Sequence, residues 1–472
     1  MNSTGRQEKK PGFGESLAIL LTCIVILVGG ILVFGIDTPI VILLSTIVFT
    51  VFGVIKGMPY AELQRSMLKA MSSSGQILVM LTLVGALVGA MMAAGTIPYM
   101  IDLGLRSIRP SIFLPLAVVF GAIISSSTGS AISSMFTIGV AFMGIAEGLG
   151  VPGGITAGAV LCGAYFGDKN SPVSSFAAFD SAVSHVELNK YLKNALYTTI
   201  PATVGSIVIF FLMGLRYAGS GMDRGAIAEI TGGLGEAFRL SPICLLPLLV
   251  MVGLMLLKLP SLPAIALGAL TAAVISVAYQ GMSIHDAMAV MVNGYRTDST
   301  MEFVVTMANR GGMLSMAYII ICIMLAMCMG GVIGRIGIME VIVGKLDRLV
   351  SNRKSLIIST VGMSFAGHYA TAQVIPAALL AANVFEKKYE EQGVDKAVMA
   401  RSIADGALVS CPIVPWDPDG ICAQQAFGLS TAAFAPFYLV MWLTLLMDVI
   451  SALTGLGVVE HDYRKDPGDR SE

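Results

Sequence analysis

Charge is what this chain has least of. Asp, Glu, Lys and Arg make up 12% of its 472 residues, about half the share usual in soluble domains. That scarcity excludes an ordinary soluble globular protein. A net charge of −1 and no basic patch give nucleic acid nothing to bind. The seven cysteines (Cys23, Cys162, Cys244, Cys322, Cys328, Cys411, Cys422) are odd in number and lie mostly in apolar runs. They form no CxxC pair and no Cys/His cluster at metal spacing, so they read as small buried hydrophobes. No nucleophile–base constellation and no nucleotide-binding loop is visible, which argues against an enzyme and against any cofactor.

Hydrophobic residues make up 56% of the chain, gathered in long runs. The first, SLAILLTCIVILVGGILVFGI, is too long for a signal-peptide core and reads as a transmembrane helix. Further apolar runs lie near 39–56, 76–95, 112–125, 131–147, 154–167, 193–215, 242–257, 262–280, 313–334, 355–366, 368–385, 397–411 and 431–455. Several fall short of the ~20 residues that cross a bilayer. The expected fold is an all-α polytopic membrane protein embedded in lipid. Arg6, Lys9 and Lys10 precede the first run, Lys56, Arg65 and Lys69 follow the second, and Arg464, Lys465 and Arg470 close the sequence. Positive charge marks the cytoplasmic side, so both termini are expected there, in a multi-pass protein of the cell (inner) membrane.

The two halves resemble each other. AAGTIPYMIDLGL and GVIGRIGIMEVIVGKL place Gly95 and Gly334 239 positions apart (334 − 95), and the polar breaks SSSTGSA (125–131) and SFAGHYATA (364–372) place Gly129 and Gly367 238 apart (367 − 129). FGDKNSPVSS (166–175) and VSCPIVPWDPDG (409–420) place Pro172 and Pro412 240 apart (412 − 172). In the first half the basic cluster precedes the third apolar run. In the second, Arg335, Lys345, Arg348, Arg353 and Lys354 follow its counterpart. The reading is two inverted repeats, each with a re-entrant helical hairpin and a broken transmembrane helix. The expected division is a tail (1–15), N-terminal helices (16–70), repeat 1 (71–215), a linker with scaffold helices (216–308), repeat 2 (309–455) and a C-terminal tail (456–472), with a loop near 216–241. Irregular backbone at membrane depth is tolerated where it lines a cavity, and inverted repeats with broken helices build secondary transporters.

GTIPYMIDLGL, NRGGMLSMAYIIICIMLAMCMGGVI, YFGDKNSPVSS, LYTTIPA and IVPWDPDG resemble NhaC-type sodium/proton antiporters over roughly residues 75 to 455. The resemblance implies an ion-transporter-superfamily fold, usually a homodimer, exchanging Na+ and H+ at broken helices. Wider relatives exchange organic acids or carry amino acids. Three departures stand out. The acid such proteins carry after the Ser-Pro is Ser175 here, their Pro-Trp-Asn is Pro415, Trp416, Asp417, and the glutamate beside their acid at 405 is Ala404.

Asp168, Asn170, Ser171, Ser174 and Ser175 offer oxygen ligands of the kind that suits sodium, with Asp168, Asn170, Ser174 and Asp417 the expected sodium ligands. A plainer alternative pairs Asp168 with Lys169 at a helix end. Thr128, Ser130, His368 and Thr371 sit at the expected hairpin tips. Asp405, in a weakly polar helix, is the first candidate for carrying a proton and Asp417 the second. Trp416 is placed either beside a solute or at the membrane interface. The expected function is Na+/H+ antiport by alternating access. The alternative is a Na+- or H+-coupled carrier of a small carboxylate or amino acid, and a channel or scaffold comes last.

Overall fold

The computed structural model describes residues 10–463, apart from Ser74, 219–223, Lys258, Asp298, Thr300, 302–303, 306–307, Arg310 and 342–349. Of the residues named so far, Arg6, Lys9, Lys345, Arg348, Arg464, Lys465 and Arg470 lie outside the described residues. Among the described residues, eight helices are long and apolar enough to cross a membrane, or up to eleven spans if three bent helix pairs each count as one. Leu21, Val25, Leu43, Leu44, Ile47 and Val51 of the first two helices are exposed. Such a surface suits lipid, not water.

In chain order come α1 (Phe13–Leu32), α2 (Thr38–Ile55), α3 (Tyr60–Ser73), α4 (Gly75–Ala93), α5 (Thr96–Ser107), α6 (Pro110–Thr128) and α7 (Ala131–Gly148), the last with a π-helical turn at Met135–Gly139. Then follow α8 (Gly153–Asn170), α9 (Ser175–Val183), α10 (Leu188–Ala218), α11 (Arg224–Ala237), α12 (Leu246–Leu256), α13 (Ser261–Ala278) and α14 (Ile284–Asn293). The second half holds α15 (Ala317–Ile336), α16 (Arg353–Thr371), α17 (Val374–Glu391), α18 (Lys396–Gly406), α19 (Pro418–Phe427) and α20 (Leu439–Thr454). The loop expected near 216–241 is instead largely α11, because Leu234 and Phe238 at helical spacing are buried; its Ala228–Ala237 stretch bends by 82° from Pro242–Leu256.

The hairpin tips are shorter than the polar stretches that announced them. Ser125–Thr128 and Ser364–Thr371 are helical. Ser127 turns back onto the Ile123 carbonyl at 2.7 Å and Ser364 onto the Thr360 carbonyl at 2.8 Å, so these side chains do not break the helix. The tips reduce to Gly129–Ser130 and Ala372–Gln373. Gly129 (φ 64°) and Ala372 (φ 53°) are both left-handed. Each amide closes onto the carbonyl four residues back, Ser125 at 2.7 Å and His368 at 2.8 Å. Ala372 and His185 are the non-glycine residues with positive φ among those described.

By backbone conformation the left-handed Gly129 falls with the left-handed Ala372, an offset of 243 (372 − 129), and the left-handed Gly95 with the left-handed Gly337, an offset of 242 (337 − 95). The same 243-residue offset relates two tight helix crossings. A methyl group on Gly163 would strike the Val118 carbonyl, and one on Gly406 the Val361 carbonyl. Both crossings therefore need glycine so that hairpin and broken helix can touch at backbone distance.

Candidate functional site

Each broken helix ends where polar side chains take over the freed backbone. α8 stops at Asn170, and α9 begins behind the N-cap Ser174, whose hydroxyl accepts from the amides of Phe176 and Ala177. The same hydroxyl donates to Asp168 at 2.6 Å, and the Ala131 amide, just past the first tip, donates to the other Asp168 oxygen at 3.1 Å. Asp168 thus joins the hairpin tip to the broken helix. It lines a cavity of about 480 Å³ together with Thr128, Ser130, Ser175, Ile375 and Asp419. Asp419 comes from the second broken helix, where it accepts a hydrogen bond from Tyr165 at 2.7 Å.

The remaining sequence candidates divide. Asn170 turns back to the Phe166 carbonyl at 2.8 Å, and Ser171 donates to the Ser126 carbonyl at 2.7 Å; neither lines that cavity. Thr371 bonds the Gly367 and Gln373 carbonyls at 2.8 and 3.2 Å. Trp416 is buried, donates to the Tyr369 carbonyl at 3.3 Å and packs edge-on against that ring, so it is not an interface anchor. Asp417 caps α19 by accepting from the Asp419 amide at 2.8 Å and, more loosely, from Gly420 at 3.4 Å; its second oxygen faces His368 Nε2 at 3.0 Å.

Asp405 is paired. Lys169 donates to it, to Thr199 at 2.7 Å and to Thr198 at 3.3 Å, while Thr198 donates to the second Asp405 oxygen at 2.9 Å. The alternative ion pair between Asp168 and Lys169 gives way to one between the two broken helices: adjacent residues on a helix point in different directions, and Lys169 faces α18. Sequence reading missed Lys169 as a partner, and with it Thr198 and Thr199, although LYTTIPA had marked that stretch. It also passed over Asp180 and Asp448, buried acids in apolar helices. Among the described residues, Asp180 has no hydrogen-bond partner for either oxygen, and Asp448 faces Arg401 Nε at 3.6 Å.

A second cavity, of about 670 Å³, opens against the C-terminal half of α4. Its walls include Phe136 of the π-helical turn, Asn293, Arg296, Asn309, Ser315 and Gln425. Residues 294–297 and 311–312, beyond α14, are non-helical, and the Gly312 amide donates to the Gly85 carbonyl half-way along α4 at 2.7 Å. Irregular backbone at that depth is tolerated because it borders a cavity, and π-turns gather at functional sites.

Residues 163–456 match the model of the Na+/H+ antiporter family. The chain is similar to a malate-2H+/Na+-lactate antiporter of Bacillus subtilis, 31% identical over 89% of this chain and 90% of that one. It is also similar to the Na+/H+ antiporter NhaC of Alkalihalophilus pseudofirmus, 30% identical over 96% and 97%. The arginine/ornithine antiporter ArcD of Halobacterium salinarum is 29% identical over 98% and 96%.

Proposed function

The chain belongs to the Na+/H+ antiporter family, and from that membership we propose that it exchanges Na+ for H+ by alternating access between two inverted repeats. One observation carries the assignment: the Asp168 carboxylate stands at a cavity between a hairpin tip and two broken helices, among the oxygens of Thr128, Ser130 and Ser175. Sodium leaving water needs negative charge and several good dipoles, and this shell of hard oxygen donors supplies both. Thr128, Ser130, Asp168, Ser174 and Ser175 hold the ion. Asp419 on the far wall supplies the negative charge that Ser175 does not. Asn170, Ser171 and Thr371 shape the breaks.

Asp405 carries the proton. Deprotonated, it is balanced by Lys169 and Thr198; protonated, it releases Lys169, which weakens the tie between the two broken helices and lets them move. A homodimer with both termini cytoplasmic completes the proposal. The test is uptake into proteoliposomes under an imposed sodium gradient, reading internal pH. Sodium-driven alkalinisation or acidification supports exchange, and a gradient that moves no protons overturns it.

A second reading has its own observation. Among the described residues, the 670 Å³ cavity offers Arg296, three amide side chains and no acid, a lining that suits a small organic carboxylate. A relative named as a malate and lactate antiporter fits it. The same proteoliposomes, offered labelled carboxylates and amino acids, separate the two: uptake that requires the organic acid supports the carrier.

A further inference from the structure

We propose that His368, Cys411 and Asp417 form a site for a borderline divalent cation of the zinc class, separate from the all-oxygen surroundings of Asp168. The ligand atoms of the three residues lie within 4.8 Å of one another and all three residues are buried. His368 Nε2 stands 3.0 Å from Asp417 Oδ2 and 3.8 Å from Cys411 Sγ. These separations are close to what a tetrahedral ion with bonds of about 2.0 to 2.3 Å places between its ligands. No spacing motif announces the group, because the hairpin helix α16 brings His368 to the break after α18.

Two of the ligands are already oriented from behind. The Ser410 hydroxyl points its hydrogen at the Gly406 and Ala407 carbonyls, both at 2.8 Å, so its oxygen accepts from His368 Nδ1 at 2.8 Å. That places the imidazole hydrogen on Nδ1 and turns Nε2 toward Cys411 and Asp417. Asp417 Oδ1 is occupied by the Asp419 and Gly420 amides, which leaves Oδ2 for the ion. Support of this kind from the second layer fixes metal-ligating histidines and carboxylates.

Charge decides which ion fits. With no metal bound, a proton must lie between Nε2 and Oδ2, because two lone pairs 3.0 Å apart repel. Metal binding displaces that proton and the Cys411 thiol proton, so two protons leave for each ion bound. A thiolate and a carboxylate then neutralise a divalent cation, and a neutral cluster is what a dry interior accepts. Sodium would leave excess negative charge and gains little from sulfur, whereas Zn2+, Cd2+ and Co2+ take nitrogen and sulfur readily. Asp419, two residues on from Asp417, lines the 480 Å³ cavity, which gives the ion its approach. Once bound, it ties the hairpin to the broken helix and arrests their relative motion.

The test uses purified full-length protein in detergent, titrated with Co2+ and then with Zn2+. One equivalent of Co2+ is expected to give a thiolate-to-metal charge-transfer band that Zn2+ removes, with two protons released per ion. The band disappears in Cys411→Ser. In Ser410→Ala it persists with affinity lower by about 10- to 100-fold, the loss typical of removing such a support. Absence of the band in the wild-type protein overturns the site whether or not any variant folds, and so does a band unchanged in Cys411→Ser. Neither readout depends on the transported solute, so this site and the antiport proposal can fail separately.

Discussion

Lys169 and Asp405 meet across 236 residues of sequence, with side chains 1% and 0% exposed. Neither charge is tolerable there without the other, because an unpaired buried charge is strongly destabilising. Asp405→Asn is therefore expected to do two things at once: abolish proton exchange and lower stability by about 3–5 kcal/mol as Lys169 loses its partner. The double variant Lys169→Gln with Asp405→Asn separates these effects. It recovers most of the thermal stability in detergent while exchange stays lost. Recovery of exchange in the double variant would remove Asp405 from the proton pathway.

Asp168 gives the sodium prediction. An ion that binds only the folded protein stabilises it by about 2.7 kcal/mol at a hundred times its Kd. Sodium is expected to raise the melting temperature of the wild-type protein, with little effect from equal potassium, and to leave Asp168→Asn unmoved. Equal sodium protection of wild type and variant would place the ion elsewhere.

The two hairpin tips respond oppositely to one methyl group. On Gly129 it would lie 2.7 Å from the Val173 carbonyl in a left-handed backbone. Gly129→Ala should therefore destabilise by more than the about 1–2 kcal/mol of the backbone term alone. Ala372 already bears that strain at φ 53°, so Ala372→Gly should be neutral or stabilising by up to about 1 kcal/mol. Thermal melts of both variants check the pair.

Inversion of the repeats is testable by labelling. Arg109 and Asn352 are the N-caps of α6 and α16, 243 positions apart (352 − 109). Cysteines placed at Arg109 and at the adjacent, exposed Ser351 should react with an impermeant maleimide from opposite faces of oriented vesicles. The native cysteines are buried or half-buried, which keeps the background low. Labelling of both from one face would mean parallel repeats.

Arg296 decides the carboxylate reading. Arg296→Gln is expected to lower organic-acid-dependent uptake about tenfold or more, the loss of one charge-assisted hydrogen bond. Unchanged lactate and malate uptake would leave that cavity without a role in substrate binding.

The class of molecule and the places where its helices break are legible in the residues alone. Length and apolarity of the runs identify membrane spans, because a bilayer admits little else. FGDKNSPVSS and VSCPIVPWDPDG are unmistakable interruptions, since a proline and several hydrogen-bonding side chains cannot sit mid-span without a local purpose. Tertiary structure decided who faces whom. Asp168 and Lys169 are neighbours in the chain, yet one turns to a hairpin tip and the other to Asp405, because successive residues on a helix point about 100° apart. The tips narrow to 129–130 and 372–373, at the far ends of the polar stretches, since serine and threonine can satisfy themselves inside a helix. Cys411 read as one more buried hydrophobe. Only the packing of α16 against the second break sets it beside His368 and Asp417, a proximity that no linear spacing records.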